Sequence, residues 1–165
     1  ISTSRDNKGR KTIFDLIDSH FGHLMIIGRL DYNSEGLMIL TNNGELKRFL
    51  ELPQNQVERV YEVKISGKLK HLNLNRLEKG ISVDGLNYKP IKARVLERMG
   101  SYARIEMILT EGKNREIRKI LASFNLKVVR LIRKKFGPFN LGNLQNGKSK
   151  RLKPEEYPIL KSFWA

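Results

Sequence analysis

Two short apolar runs facing each other across a polar loop constrain this chain more than any other feature. Residues 24–27 (Leu-Met-Ile-Ile) and 37–40 (Leu-Met-Ile-Leu) bracket Gly28-Arg29-Leu30-Asp31-Tyr32-Asn33-Ser34-Glu35-Gly36. Each run is short and continuous, as a strand covered on both faces would be. Gly28 and Gly36 mark sharp turns where each strand meets the loop. The loop therefore lifts Asp31 out of the core and holds it beside Arg29 at a strand end. A carboxylate on such a rim is suited to chemistry. It is equally suited to bonding its own turn, as Asx residues do.

Charge decides the class of partner. The 165 residues carry 32 Lys and Arg against 17 Asp and Glu, a net charge of +15. Such a chain seeks a polyanion. The charge is also uneven: residues 113–153 hold 13 basic side chains and one acid, Glu116. Nucleic acid is the leading partner. An anionic membrane surface would call for a basic amphipathic helix with Trp or Phe on its apolar face, and Trp164 stands alone near the C-terminus. No apolar run is long enough to span a bilayer. With no cysteine, disulfides, thiolate catalysis and zinc–thiolate sites are excluded, and a reducing, cytoplasmic compartment fits. P-loop and dinucleotide glycine patterns are absent.

Along the chain, residues 1–10 read as a strand end and a polar loop with Gly9. Thr12 caps a short helix. His20 and His23 lack a third metal ligand nearby in sequence and read as surface or turn histidines. Residues 44–52 form a helix closed by Pro53, and 57–66 a strand whose Val57, Tyr61, Val63 and Ile65 share one parity. Tyr61 then points inward, and on these grounds alone it is a core aromatic. Residues 69–80 read as one helix stopped at Gly80, 82–86 as a turn, and 88–98 with 102–109 as two paired strands. A glycine loop leads into a helix over 114–124 with Ile117, Ile120, Leu121 and Phe124 as its buried stripe. Arg115, Arg118 and Lys119 lie at its start and middle, where a helix N-terminus already attracts anions. Arg118 adjoins the stripe, so it is partly covered and needs an acid or a phosphate. Residues 127–136 form a strand ended by Gly137-Pro138-Phe139, 142–153 a basic loop, and Pro154 starts a last short helix. The mixture, with hairpin-joined strands, indicates an α+β domain around a mostly antiparallel mixed sheet.

Three stretches go further. Gly28-Arg29-Leu30-Asp31, with Gly36-Leu37-Met38-Ile39-Leu40-Thr41 and Gly44-Glu45-Leu46, resembles the signature of pseudouridine synthases. The branch is the ribosomal-RNA family typified by the small-subunit enzyme RsuA and its large-subunit relatives. Glu111-Gly112-Lys113-Asn114-Arg115-Glu116-Ile117-Arg118-Lys119-Ile120-Leu121 resembles its second motif, and Arg130-Leu131-Ile132-Arg133 with Phe136-Gly137-Pro138 its third. Ile1-Ser2-Thr3, Lys8-Gly9-Arg10 and Phe14-Asp15-Leu16 resemble the opening of the catalytic segment. The resemblance implies the pseudouridine synthase catalytic fold, its sheet flanked by helices and its site in a basic cleft. It implies isomerisation of uridine in ribosomal RNA without cofactor or metal: the N1–C1′ bond breaks, uracil turns, and a C5–C1′ bond forms.

By matching position, Asp31 is the catalytic aspartate, acting on C1′ as nucleophile or at C2′ as base. Tyr61 stacks on the target uracil, with Arg59 as the basic residue two positions before it. Arg118 lies against the aspartate. Arg29 fills the gap left by the flipped uridine, and Leu131, or Ile132 beside it, floors the base. Asn114, Arg115 and Arg133 are further substrate-binding candidates. The chain opens at Ile1, so the family's Lys-Pro pair and small RNA-binding domain are expected upstream, residues 1–165 being the catalytic domain. The spacing Val57-Glu58-Arg59-Val60-Tyr61 favours the large-subunit enzymes. The expected partner is ribosomal RNA or a ribosomal assembly intermediate, the expected state a monomer. The competing class is a non-catalytic basic RNA-binding module, such as a ribosomal or assembly protein. A pure binder has no reason to bury a carboxylate in a basic cleft. A DNA-binding domain would need a helix-turn-helix or finger signature.

Overall fold

In a computed structural model the described residues are 12–17 and 21–164. The expectations for residues 1–10 and for His20 lie outside them. Thr12 caps a single 3-10 turn, Ile13–Leu16, and its N–H donates to Asp15 Oδ2.

The polar loop begins after β1 (Met25–Ile27), passes through β2 (Glu35–Gly36) and returns in β3 (Ile39–Thr41). β1 and β3 pair with each other, antiparallel. They are not covered on both faces as their continuous apolar runs suggest. Ile27 and Ile39 are buried, but Met25, Ile26 and Leu40 are only half-buried. One face is covered by α1 (Gly44–Glu51), which turns Leu46 and Leu50 inward. Asn43 starts that helix by accepting the Leu46 N–H.

The main sheet comes from the alternating segments. β4 (Arg59–Ser66) pairs antiparallel with β8 (Tyr102–Leu109) on one side and with β9 (Lys127–Phe136) on the other. β7 (Lys92–Met99) extends the β8 edge, and β10 (Phe139–Asn140) folds back on the end of β9. β2 adds to β9 in parallel, which makes the sheet mixed. Between β4 and β7 lie α2 (Leu74–Lys79) and the hairpin β5 (Ile81–Val83) and β6 (Leu86–Tyr88). The single helix expected over 69–80 is divided: Leu69–His71 is a 3-10 turn, and Asn73 starts α2 anew by accepting the Arg76 N–H.

Alternation along β4 and β8 gives the sheet two unlike faces, as an antiparallel sheet permits. Val63, Ile65, Ile105, Met107 and Leu109 point inward. α3 (Glu116–Ser123) lays Ile117, Ile120 and Leu121 on them, with Leu77 of α2, in the larger core. The strand residues between them carry ion pairs across the other face: Arg104 with Glu62 and Glu97, and Arg94 with Glu106. A second, smaller core joins Ile27, Leu37, Ile39, Leu46 and Leu50 to Phe136, Phe139 and Leu160, the last from α4 (Pro158–Lys161). The polar loop runs between the two cores.

Candidate active site

The loop that carries Asp31 is held at both ends. At its start the Gly28 N–H donates to Glu51 Oε2 at 2.7 Å, and the same carboxylate is paired with Lys47. Gly28 has φ +67°, and a Cβ there would press on the Phe136 ring at 3.3 Å. At its end Gly36 lies on the backbone of β9, where an added Cβ would stand 2.3 Å from the Arg133 carbonyl oxygen. Between them a turn closes from the Ser34 N–H to the Asp31 carbonyl at 2.9 Å, with Asn33 at φ +68°. Asp31 therefore sits on a short arch fixed at its feet.

Arg133 holds the far foot. Its backbone carbonyl accepts the Leu37 N–H at 2.8 Å. Its guanidinium donates to the Leu37 carbonyl from Nε at 3.0 Å and from a terminal nitrogen at 2.7 Å. The other terminal nitrogen reaches the Arg29 carbonyl at 3.5 Å. Among the described residues no carboxylate pairs with it. Burial pushes the guanidinium below its ordinary range, opposed by the nearby Tyr61 side chain. It remains a cation, because an arginine is not deprotonated in a protein. The expectation that Arg133 binds substrate is therefore corrected: at 2% exposure its donors serve the loop.

Arg59 is corrected for the same reason. It is buried, donates to the carbonyls of Val57 and Leu50, and lies 4.6 Å from the Phe136 ring centre. Burial lowers its pKa, and the nearby Arg133 charge adds to that.

The candidate residues converge across one cleft of about 380 Å³, counting space open to solvent. Asp31, Tyr61, Arg118, Arg29, Leu131 and Arg115 all line it. They come from the loop, β4, α3, β9 and the β8–α3 connection. Tyr61 stands beside an irregularity: between Val60 and Tyr61 the pairing of β4 with β9 slips by one residue. Such bulges re-aim side chains next to functional sites. Leu131, with Leu109 and Ile117, supplies the apolar wall.

Two expectations for the helix end change in detail. α3 starts at Glu116 rather than Asn114, because Arg115 takes the left-handed conformation at φ +52°. That turn points the Arg115 backbone N–H at Asp31 Oδ2, at 3.1 Å. Its contribution to the loop is thus a main-chain donor, while its side chain stays exposed on the rim. Asn114 is exposed on the same connection and does not line the cleft. Arg118 lies in the cleft but bonds the loop's backbone: it donates to the Asn33 carbonyl at 2.9 Å and to Ser34 Oγ at 3.5 Å. Burial and the Arg115 charge lower its pKa, and the Asp31 charge raises it. The carboxylate and the guanidinium thus feel each other across the pocket.

Sequence reasoning missed two buried acids, Glu116 in the cleft wall and its neighbour Glu111. The available signal was helical spacing. Glu116 falls four residues before Ile120 and next to Ile117, on the covered side of α3.

The chain is similar to known proteins over most of its length. The family model described as RNA pseudouridylate synthase matches residues 4–123. A protein of Rickettsia bellii named as an uncharacterized RNA pseudouridine synthase is 43% identical over 95% of this chain and 64% of its own length. The ribosomal large subunit pseudouridine synthase B of Bacillus subtilis is 32% identical over 99% of this chain and 68% of its own. A crystal structure of a pseudouridylate synthase superposes with TM-score 0.79 at 27% identity, covering 90% of this chain and 65% of that one. The chain spans 64–66% of the length of the first Rickettsia relatives it matches. With a family model across most of its length, this chain belongs to the RNA pseudouridylate synthase family.

Proposed function

We propose that this chain isomerises uridine to pseudouridine in ribosomal RNA, with large-subunit RNA the favoured substrate. The observation that carries the reading is the convergence on one cleft of Asp31, Tyr61, Arg118 and Leu131 from four separate elements. The relatives named for the large ribosomal subunit support the substrate.

Each residue has a part in that chemistry. Asp31 acts at C1′ as nucleophile or at C2′ as base, and either role needs its ionised form. The Arg115 N–H holds Asp31 Oδ2 in place. Arg118 supplies positive potential and, by holding the Asn33 carbonyl, sets the arch. The Tyr61 ring and Leu131 offer surfaces on which a flipped uracil stacks and rests. Arg29, exposed on the rim, takes the gap left in the RNA. Lys113, Arg115 and the exposed basic residues beyond them hold phosphates. The protein acts as a monomer in the cytoplasm, on free ribosomal RNA or an assembly intermediate. No helix among the described residues is long and apolar enough to cross a membrane.

The test is Asp31→Asn. Asn keeps the size and accepts the Arg115 N–H, so the fold holds. It can neither attack C1′ nor take a proton, and turnover falls by about 10⁴-fold or more. RNA affinity persists or rises, because a negative charge has left a basic cleft. Pseudouridine formation and RNA binding are measured on one preparation with its circular dichroism. Near-normal turnover in the variant would reduce Asp31 to a turn residue. RNA binding by the unmodified chain without any turnover, across large- and small-subunit transcripts, would favour a binding module.

A further inference from the structure

Glu116 in the pocket wall and its buried neighbour Glu111 are acids that the proposed chemistry does not use. Glu116 opens α3 and is 3% exposed; Glu111, just after β8, is 6% exposed. Both are anchored by main-chain donors. Glu116 Oε1 accepts the Lys113 N–H at 3.2 Å, and Glu111 Oε1 accepts the Lys89 N–H at 2.9 Å. The remaining Glu111 oxygen faces Lys113 Nζ at 3.5 Å. The remaining Glu116 oxygen, Oε2, is buried with no donor directed at it among the described residues. Oε1 being taken, Oε2 is the oxygen left to meet the Glu111 carboxyl, the side chain that acts most strongly on Glu116.

Two carboxylates cannot hydrogen-bond each other, and a buried anion with an empty lone pair is costly. One proton removes both problems. It neutralises Glu116 and turns Oε2 into a donor toward Glu111. Nearby cations are too weakly placed to keep both acids charged. Lys113 is half-exposed and also bonds the Asn87 carbonyl. Arg59 of β4 acts on Glu116 only through space, with its donors on Val57 and Leu50. Tyr88 of β6 also faces the pair and feels both acids and Asp84. Burial, with the Glu111 charge next in strength, pushes the Glu116 carboxyl up to about 8.

We propose that Glu116 is a positioning residue that works as a neutral acid: its Oε2–H donates to Glu111 and locks the connection over residues 111–116, so that the Arg115 N–H meets Asp31. The role rests on the reading of Asp31 as the reacting carboxylate. The lock closes a short path. Glu116 holds the Lys113 N–H from one oxygen and Glu111 from the other, and Arg115 follows two residues after Lys113 in a left-handed turn. When the proton leaves, two buried like charges push the connection apart, and Asp31 loses its donor.

The test uses the full chain and three forms: unmodified, Glu116→Gln and Glu116→Ala. Gln keeps both contacts, accepting from Lys113 and donating its amide to Glu111, and does not titrate. The expected result is that Ala lowers kcat on ribosomal RNA about 10-fold or more with little change in KM, and that Gln rescues kcat. Turnover by the unmodified chain declines above about pH 8 relative to Glu116→Gln. A second readout needs no activity. Between the ordinary carboxyl pKa and about 8 the folded chain binds the Glu116 proton and the unfolded chain does not. Its stability therefore falls with rising pH across that window relative to Glu116→Gln, and the difference levels off above it. Difference infrared spectra of the two forms at pH 7 show a protonated-carboxyl stretch only with Glu116. Identical stability profiles from pH 5 to 9 with no such stretch would overturn the proton. A Gln variant as slow as Ala would overturn the positioning role. If the unmodified chain makes no pseudouridine, the functional reading fails by itself, while the stability and infrared readouts still decide the state of Glu116.

Discussion

Two buried ionisable groups flank the cleft, and the fold treats them in opposite ways. Arg133 is 2% exposed and keeps its charge; Glu116 is 3% exposed and gives its charge up. The difference lies in what each can bond. A guanidinium has five donors, and carbonyl oxygens are plentiful where a loop leaves a sheet. Arg133 finds the carbonyls of Leu37 and Arg29 and needs no carboxylate. An ionised carboxylate can only accept, so it needs an N–H for each oxygen. Glu116 finds one, from Lys113, and a proton must serve its other oxygen. Burying a charge is thus tolerable here where the surrounding backbone is rich in the complementary group. The two residues clamp the two sides of one cleft, Arg133 the loop that bears Asp31 and Glu116 the connection that touches it.

The largest effect comes from removing the clamp that keeps its charge. Arg133→Met retains volume against Phe136 but leaves the Leu37 carbonyl without its two side-chain donors. The expected loss is about 3 kcal/mol, the scale for stripping a buried, charge-assisted hydrogen-bond set. It is read as a lower denaturant midpoint at unchanged slope. No loss would mean that Arg133 is replaceable by any apolar side chain of its size, and the contrast with Glu116 would disappear.

A smaller effect follows from Gly36→Ala, which attacks the same foot through the backbone. A Cβ at 2.3 Å from the Arg133 carbonyl oxygen cannot be accommodated by turning a side chain. The two-residue parallel ladder of β2 must open. The rest of the sheet is untouched, so the cost is about 2 kcal/mol, below that of Arg133→Met. Near-native stability would show that β2 need not lie on β9, and that the guanidinium alone fixes the arch.

The main elements were legible because their patterns are local. Alternation in 57–66 and 102–109 gave β4 and β8, and the stripe Ile117, Ile120, Leu121 gave α3 within two residues. Gly28 and Gly36 marked the loop because their positive φ angles are local facts too. What failed was the reading of charge. Family resemblance makes Arg59 and Arg133 substrate-binding candidates. Yet each shares parity with a core residue of its strand, Val63 for Arg59 and Leu131 for Arg133, and is buried with it. Glu116 is the lone acid in a basic segment, and net charge does not tell which face of the helix it takes. Net charge describes the outside of a protein. It says nothing of the few ionisable groups that periodicity sends inside. The break between the 3-10 turn at Leu69–His71 and α2 was missed because Asn73 was treated as a helix interior residue rather than a cap.

The smallest effect tests the third way of handling charge, which is to leave it in water. Arg130 and Glu35 pair across β9 and β2, with Nε to Oε2 at 2.8 Å and a terminal nitrogen to Oε1 at 3.0 Å. The geometry is as good as that of Arg133, and it joins β9 to β2. The hydrogen bond from Arg130 lowers the Glu35 pKa. Yet the side chains are 59% and 50% exposed, so water and salt screen the attraction. Arg130→Ala is therefore expected to cost about 0.5 kcal/mol at low ionic strength. The cost should vanish in molar salt, where that of Arg133→Met should not. Paired denaturation curves at low and high salt measure both variants together. A salt-independent loss above about 1 kcal/mol for Arg130→Ala would mean that β2 is held chiefly from its exposed end. Arg133 would then be a passenger in the wall rather than the clamp beneath Asp31.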